Sequence, residues 1–239
     1  MSRIIVLGCG TAVGKTRVSA ALLRELALRG LPCLGLKPIE SGIEPAPSGL
    51  PPSESDAAQL SAAGSLRTTL SHPLYALREP ISPHLAARYA GLRIDVPRAA
   101  EWVYEAAGRV TPHLSSDRAI WTLVETAGGV LSPLGRGLSN FDLARALEPA
   151  IWVLVASDSL GVLHDVSVTL EALAARGRSP DHLVLSQARE PDASTGSNAA
   201  ELRALGIATP SALLARNDDR GIIPLVDQLL AGGAEATAR

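Results

Sequence analysis

The chain predicts an α/β fold with a mainly parallel central sheet and helices on both faces, and three observations carry that expectation. Short apolar runs of strand length alternate with longer amphipathic segments. The runs are apolar at nearly every position, as strands covered on both faces are. A glycine-rich turn joins the first run to the first helical segment.

The first run is Ile4-Ile5-Val6-Leu7, and the segment after its glycine turn, Thr16 to Arg29, reads as a helix with Val18, Ala21, Leu22, Leu26 and Leu28 near one face and Gly30 as its stop. The second run, Cys33 to Leu36, ends at Lys37. Residues 43 to 54 are rich in Pro, Ser, Glu and Gly and read as a mobile loop separating Lys37 from Asp56. Ser82-Pro83-His84 opens another helix, because serine is a good N-cap and proline a good first helical residue; that context makes His84 a structural or pocket-shaping residue rather than a proton donor. The third run, Ile120 to Val124, leads directly into Glu125, and Ile151 to Val155 and His182 to Leu185 follow. Trp121 and Trp152, lying within runs, read as core. Ala231 to Arg239 reads as a frayed tail, which leaves residues 1–230 as one domain, and no internal repeat is visible.

Composition bounds the function. Of 239 residues, 46% are hydrophobic and 19% charged, enough apolar surface for a substantial core. With a net charge of −2 and scattered basic residues, the chain lacks the footprint of a nucleic-acid or anionic-membrane binder. No apolar run approaches spanning length, and the chain starts almost directly with a strand rather than a signal segment, so a cytoplasmic protein is expected. Cys9 and Cys33 fit buried free thiols in a reducing compartment better than a disulfide.

Only two lysines occur, Lys15 and Lys37, although lysine and arginine together number 22. Arginine's planar fork does not replace a compact ammonium among phosphate oxygens, so these two point to phosphate chemistry. Lys15 lies in Gly8-Cys9-Gly10-Thr11-Ala12-Val13-Gly14-Lys15-Thr16, between a strand and a helix, the context a phosphate-binding loop requires. Backbone amides from Gly10 to Arg17 and the helix N-terminus would face the phosphates, Lys15 would reach the outer ones, and the Thr16 hydroxyl is placed for magnesium. Such a loop needs a carboxylate for the metal. Glu125, at the carboxyl end of a central strand, is the first candidate and Asp56 the second.

The phosphate loop, Lys37-Pro38-Ile39-Glu40-Ser41-Gly42, Ser55-Asp56-Ala57, Glu79 to Ala87 and Val124-Glu125-Thr126-Ala127-Gly128-Gly129 together resemble dethiobiotin synthetase, in order over roughly residues 3 to 190. The resemblance implies a P-loop NTPase-like fold and an ATP-dependent enzyme that closes the ureido ring of dethiobiotin from 7,8-diaminopelargonic acid and carbon dioxide or bicarbonate, as a homodimer with substrate sites at the subunit interface. By that resemblance Lys37 holds the carbamate and the transferred phosphate. Thr11 and Ser41 hydrogen-bond near the reacting amine, Gly128, Gly161 and His164 contact substrate, and Gln187 reads the adenine. Mg2+ is held by Thr16, Asp56 and Glu125.

Four departures from the family pattern stand out. Ala12 replaces an acidic residue. Thr126 replaces a glycine, adding a side chain where the backbone passes near the ligand. His164-Asp165 stands where asparagine-histidine is usual, and an aspartate there repels a carboxylate. Gln187 replaces an asparagine, and Thr209 to Asp219 lacks the usual proline and glycine pattern. These motivate a competing expectation, a same-fold ligase acting on another amine or carboxylate. A partition- or metallochaperone-type ATPase switch is disfavoured because Cys9-Gly10-Thr11 lacks the extra early lysine of those proteins. A catalytically dead relative is disfavoured by the retained Lys15, Thr16, Lys37, Asp56 and Glu125.

Overall fold

The computed structural model describes residues 2–44, 52–110 and 119–236. In chain order it has β1 (Ser2–Gly8), α1 (Lys15–Leu28), β2 (Cys33–Leu36), β3 (Ile39–Ser41), α2 (Asp56–Ala63), β4 (Tyr75–Leu77), α3 (Pro83–Tyr89) and α4 (Val96–Gly108). There follow β5 (Trp121–Glu125), β6 (Pro133–Gly135), β7 (Leu138–Ser139), α5 (Asn140–Ala146), β8 (Ile151–Asp158) and α6 (Val162–Ala175). The chain closes with β9 (His182–Gln187), α7 (Asn198–Ala204), β10 (Ala212–Leu214) and α8 (Ile223–Ala236).

Six strands form one sheet in the order β10-β9-β8-β1-β5-β2, and every neighbouring pair is parallel. The sheet is buried on both sides, and the period of two along a strand splits its side chains between them. Ile4 and Val6 pack with Val18, Leu22 and Leu26 of α1 and Leu225 and Leu229 of α8. Ile5 and Leu7 join Val103 of α4, Leu143 of α5 and Val166 of α6 on the other face. Trp152 is fully buried and Trp121 is 7% exposed, so both belong to the core, and both cysteines are free thiols.

Helix α1 stops as expected: Gly30 takes φ 70°, its N–H bonds the Ala27 carbonyl at 2.9 Å, and the Leu31 N–H reaches back to Leu26 at 3.0 Å. Leu28 departs from the expected face. It is 82% exposed, because in the last turn it lies at the edge of the apolar stripe rather than in it. Ser82 does occupy the N-cap position of α3, but its hydroxyl bonds His84 Nδ1 at 3.0 Å instead of a backbone amide; the helix start is held by Pro83 and by the Ser82 carbonyl. Of the six strands of the central sheet, β10 has no counterpart in the sequence reading, nor do the short strands β3, β4, β6 and β7 outside it. Most of the loop expected at 43–54 falls on residues 45–51, outside the described residues, and α8 runs past residue 231 to Ala236.

Candidate active site

β1 lies at the centre of the sheet, with β5 on one side and β8 on the other, so the chain leaves its carboxyl end at the point where strand order reverses. Val6 pairs with Glu125 and Gly8 with Val155 across the two ladders. Two glycines of the loop that follows are obligatory. A Cβ on Gly8 would lie 2.8 Å from the Gly10 carbonyl oxygen, and one on Gly14, whose φ is 92°, would lie 2.4 Å from Ser186 Oγ. Ala12 holds φ 57°, a left-handed conformation unusual for alanine. Gly14 is the N-cap residue of α1, so the amides of the first turn open onto the loop.

Lys15, the first residue of α1, is 7% exposed and its ammonium donates to the Gly10 carbonyl at 3.3 Å. Burial pushes its pKa down, and Lys37 adds to this, against the pull of Glu125 and Asp56. The next residue, Thr16, donates its hydroxyl to Glu125 Oε1 at 2.9 Å. Lys37, immediately after β2, donates to the same oxygen at 2.7 Å and also to Asp56 Oδ2. Burial opposes the Lys37 charge, but the Glu125 and Asp56 carboxylates outweigh it and hold the ammonium well above its ordinary pKa. Glu125 is fully buried at the end of β5, and its second oxygen, Oε2, has no partner among the described residues.

These groups line one cavity of about 870 Å³. Thr11, Ala12, Gly14, Lys15, Thr16 and Arg17 border it from the loop and α1; Lys37, Ser41, Asp56, Glu125 and Gly128 close it. The Ser41 hydroxyl is buried with no partner among the described residues, as a group waiting for a ligand would be. Gly10 and Val13 are in the loop without bordering the cavity. Gly161 and His164 are exposed at the start of α6, outside it. Gln187 ends β9, where its Oε1 accepts the Arg216 N–H at 2.7 Å. Arg17 donates to the carbonyls of Leu214 and Ala215, so Gln187 and Arg17 together tether the segment after β10.

Two expectations change. Thr126 does not enter the cavity: it is 1% exposed, and both its N–H and its hydroxyl bond the Val6 carbonyl of β1, at 3.1 and 3.0 Å. Glu40, quoted within the Lys37–Gly42 motif without a role, does border the cavity and is 4% exposed. No local sequence signal marks it, because the amides it meets lie elsewhere in the chain.

The donors suit a hard divalent cation. Thr16, Asp56 and Glu125 offer only oxygen, Glu125 Oε2 is a buried acceptor without a partner among the described residues, and a cationic group, the Lys37 ammonium, already bridges the two carboxylates.

The sequence family described as AAA domain matches residues 2–219. The chain is 36% identical over 216 residues to a protein of Anaeromyxobacter sp. (strain K) named ATP-dependent dethiobiotin synthetase BioD, the match covering 90% of each chain. It is 34% identical over 200 residues to the protein of the same name from Caulobacter vibrioides (strain NA1000 / CB15N), covering 80% of this chain and 83% of that one. Among solved structures, the MinC:MinD cell division protein complex of Aquifex aeolicus aligns with a TM-score of 0.52 at 13% identity, over 97% of this chain and 96% of that one. The signal recognition particle receptor FtsY from Elizabethkingia anophelis aligns at 0.55 and 13% identity, over 92% of this chain and 60% of that one. These two share the fold.

Proposed function

The chain belongs to the ATP-dependent dethiobiotin synthetase family, and on that premise we propose that it converts 7,8-diaminopelargonic acid, carbon dioxide and ATP into dethiobiotin, ADP and phosphate. The observation that carries the proposal is the meeting of Lys15, Thr16, Lys37, Asp56 and Glu125 around one cavity, which a Ser41 hydroxyl without a partner among the described residues also borders.

The residues divide the work. One substrate amine adds to carbon dioxide and loses a proton, giving a carbamate. The amides of Gly10 to Arg17 and the Lys15 ammonium hold the ATP phosphates in line with a carbamate oxygen. Thr16, Asp56 and Glu125 would hold Mg2+, which would supply positive charge to the phosphoryl oxygens. Lys37, kept charged by its two carboxylate neighbours, releases one hydrogen bond to meet the carbamate and the γ-phosphoryl group. Transfer breaks the bond to ADP and forms a carbamic-phosphoric anhydride. The second amine then attacks its carbonyl carbon and expels phosphate, while Thr11, Ser41 and Gly128 border the reacting end of the substrate.

Gly161 and His164 take part through a second copy of the chain. They are exposed beside Leu160, which is 84% exposed, and a homodimer that covers this end of α6 would bring them to the partner's cavity. Gln187 is assigned to the adenine through its side-chain amide. The test is parallel detection of dethiobiotin by mass spectrometry and of ADP when purified protein receives MgATP, bicarbonate and 7,8-diaminopelargonic acid. Equal appearance of both is expected. ADP release without dethiobiotin would keep the phosphate chemistry and transfer the protein to the ligase acting on another amine.

A further inference from the structure

The Glu40 carboxylate has no role in the scheme above, although it is nearly inaccessible and borders the cavity. Its Oε1 accepts the Asp56 N–H at 2.7 Å and its Oε2 accepts the Ala57 N–H at 3.0 Å. These are the first two amides of α2, which have no partner inside the helix. Ser55 takes the next one, accepting from the Ala58 N–H at 3.1 Å. One acid on β3 therefore caps a helix far along the chain, and the residue whose amide it grips is the candidate metal ligand itself.

Ser55 already occupies the N-cap position with a bonded hydroxyl, and with Ser55 and Ala57 each 3% exposed the two remaining amides need a partner from the protein. A carboxylate buried at that point is desolvated, and burial pushes the Glu40 pKa upward against the pull of Lys37 and of the two amides. The geometry it secures is specific. Asp56 is tied at its backbone to Glu40, three residues after Lys37, and at its side chain to Lys37 itself. The Glu40 carboxylate thus ties the Asp56 backbone to the segment that follows Lys37.

We propose that Glu40 is a positioning residue, which by gripping the Asp56 and Ala57 amides sets the Asp56 carboxylate at the place where it joins Thr16 and Glu125 around a divalent cation. This rests on the assignment of Asp56 to the metal. Outer partners of metal ligands change metal affinity by about 10–100-fold when removed. Gln at position 40 would keep one acceptor and turn an amide donor toward a backbone N–H.

The test is a Mn2+ titration followed by electron paramagnetic resonance, with saturating non-hydrolysable ATP analogue, on wild type, Glu40→Gln, Asp56→Asn and the double variant. Glu40→Gln should weaken Mn2+ affinity about tenfold or more, leave analogue affinity without metal within about threefold, and add less than about twofold in the Asp56→Asn background. If Glu40→Gln does not accumulate as folded protein, Glu40→Asp, which retracts the carboxylate by one methylene, is read by the same criteria. Undiminished Mn2+ affinity in the folded variant, or full additivity with Asp56→Asn, overturns the role of Glu40 alone. If wild type and Asp56→Asn bind Mn2+ equally, the metal assignment of Asp56 falls and the role of Glu40 with it.

Discussion

The carboxyl end of β1 and the start of α6 were both read from the sequence as places that touch substrate, and they differ in completeness. Around β1, the loop, α1, β2, α2 and β5 deliver Lys15, Thr16, Lys37, Asp56 and Glu125 to one cavity, with hydrogen bonds among them. At α6, Gly161 is an exposed left-handed N-cap with nothing within 4 Å of where a Cβ would lie, and His164 and Asp165 beside it are exposed. Charge chemistry with short-range geometry is finished inside one subunit. On the proposed reading, recognition of the far end of a substrate would fall to this surface, through a second copy of the chain.

The largest effect belongs to the finished region. Lys37→Gln should cut turnover about 10²–10³-fold, the usual loss for one donor to developing transition-state charge. It also leaves Glu125, which is 0% exposed, without its cationic partner. Metal-free variant should therefore lose about 3 kcal/mol of stability, seen as a lower melting temperature, and Mg2+ should restore part of it. Turnover within threefold of wild type would remove Lys37 from the reaction.

Cys9 joins the two regions and gives the second effect. It sits in the phosphate loop, where burial pushes its thiol up to about 11, with its interaction with Thr169 lowering it and Asp165 of α6 raising it. A raised thiol pKa means the protonated form is favoured by folding: the contribution is full below the unfolded value and is lost as pH rises toward 11. Iodoacetamide labelling of native protein at pH 8 should run about 100-fold slower than that of the unfolded chain, since only the thiolate reacts. Fast labelling of Cys9 would mean that α6 does not stay against the loop, and the two regions would then be separate bodies.

The third prediction tests the unfinished region directly. His164→Ala should raise KM for the diamine about tenfold, a loss of roughly 1.4 kcal/mol, while KM for ATP and the metal-free melting temperature stay unchanged. The loss should deepen on dilution if the contact is made across a dimer. A change in KM for ATP instead would place His164 in the nucleotide's region and erase the distinction.

What the sequence made legible follows the same line. Five of the six sheet strands were visible because buried parallel strands are continuous apolar runs. β10 was not: Ala212–Leu214 is short and its middle residue, Leu213, is 45% exposed, so it carries no such run. Lys15, Thr16 and Glu125 were readable because each lies at a strand or helix end that a local motif defines. Glu40 was not, since its worth depends on the amides of Asp56 and Ala57, and no local pattern reports a cap donated from elsewhere in the chain.

Thr126 gives the smallest effect and the sharpest test of that lesson. By its place in the motif it adds a side chain where the backbone nears the ligand. In the fold, its hydroxyl and its N–H both bond the Val6 carbonyl, and the side chain is buried away from the cavity. Thr126→Gly removes one buried hydrogen bond and frees the backbone beside Glu125, so it should lower stability by about 1 kcal/mol, read as a shift in the urea midpoint. The kcat/KM for ATP should stay within about twofold, because the Val6 carbonyl keeps its bond from the residue 126 amide and Glu125 keeps its strand pairing. A gain in affinity for nucleotide or diamine on removing the side chain would show that Thr126 does reach the ligand, and would make position in the motif a better guide there than burial.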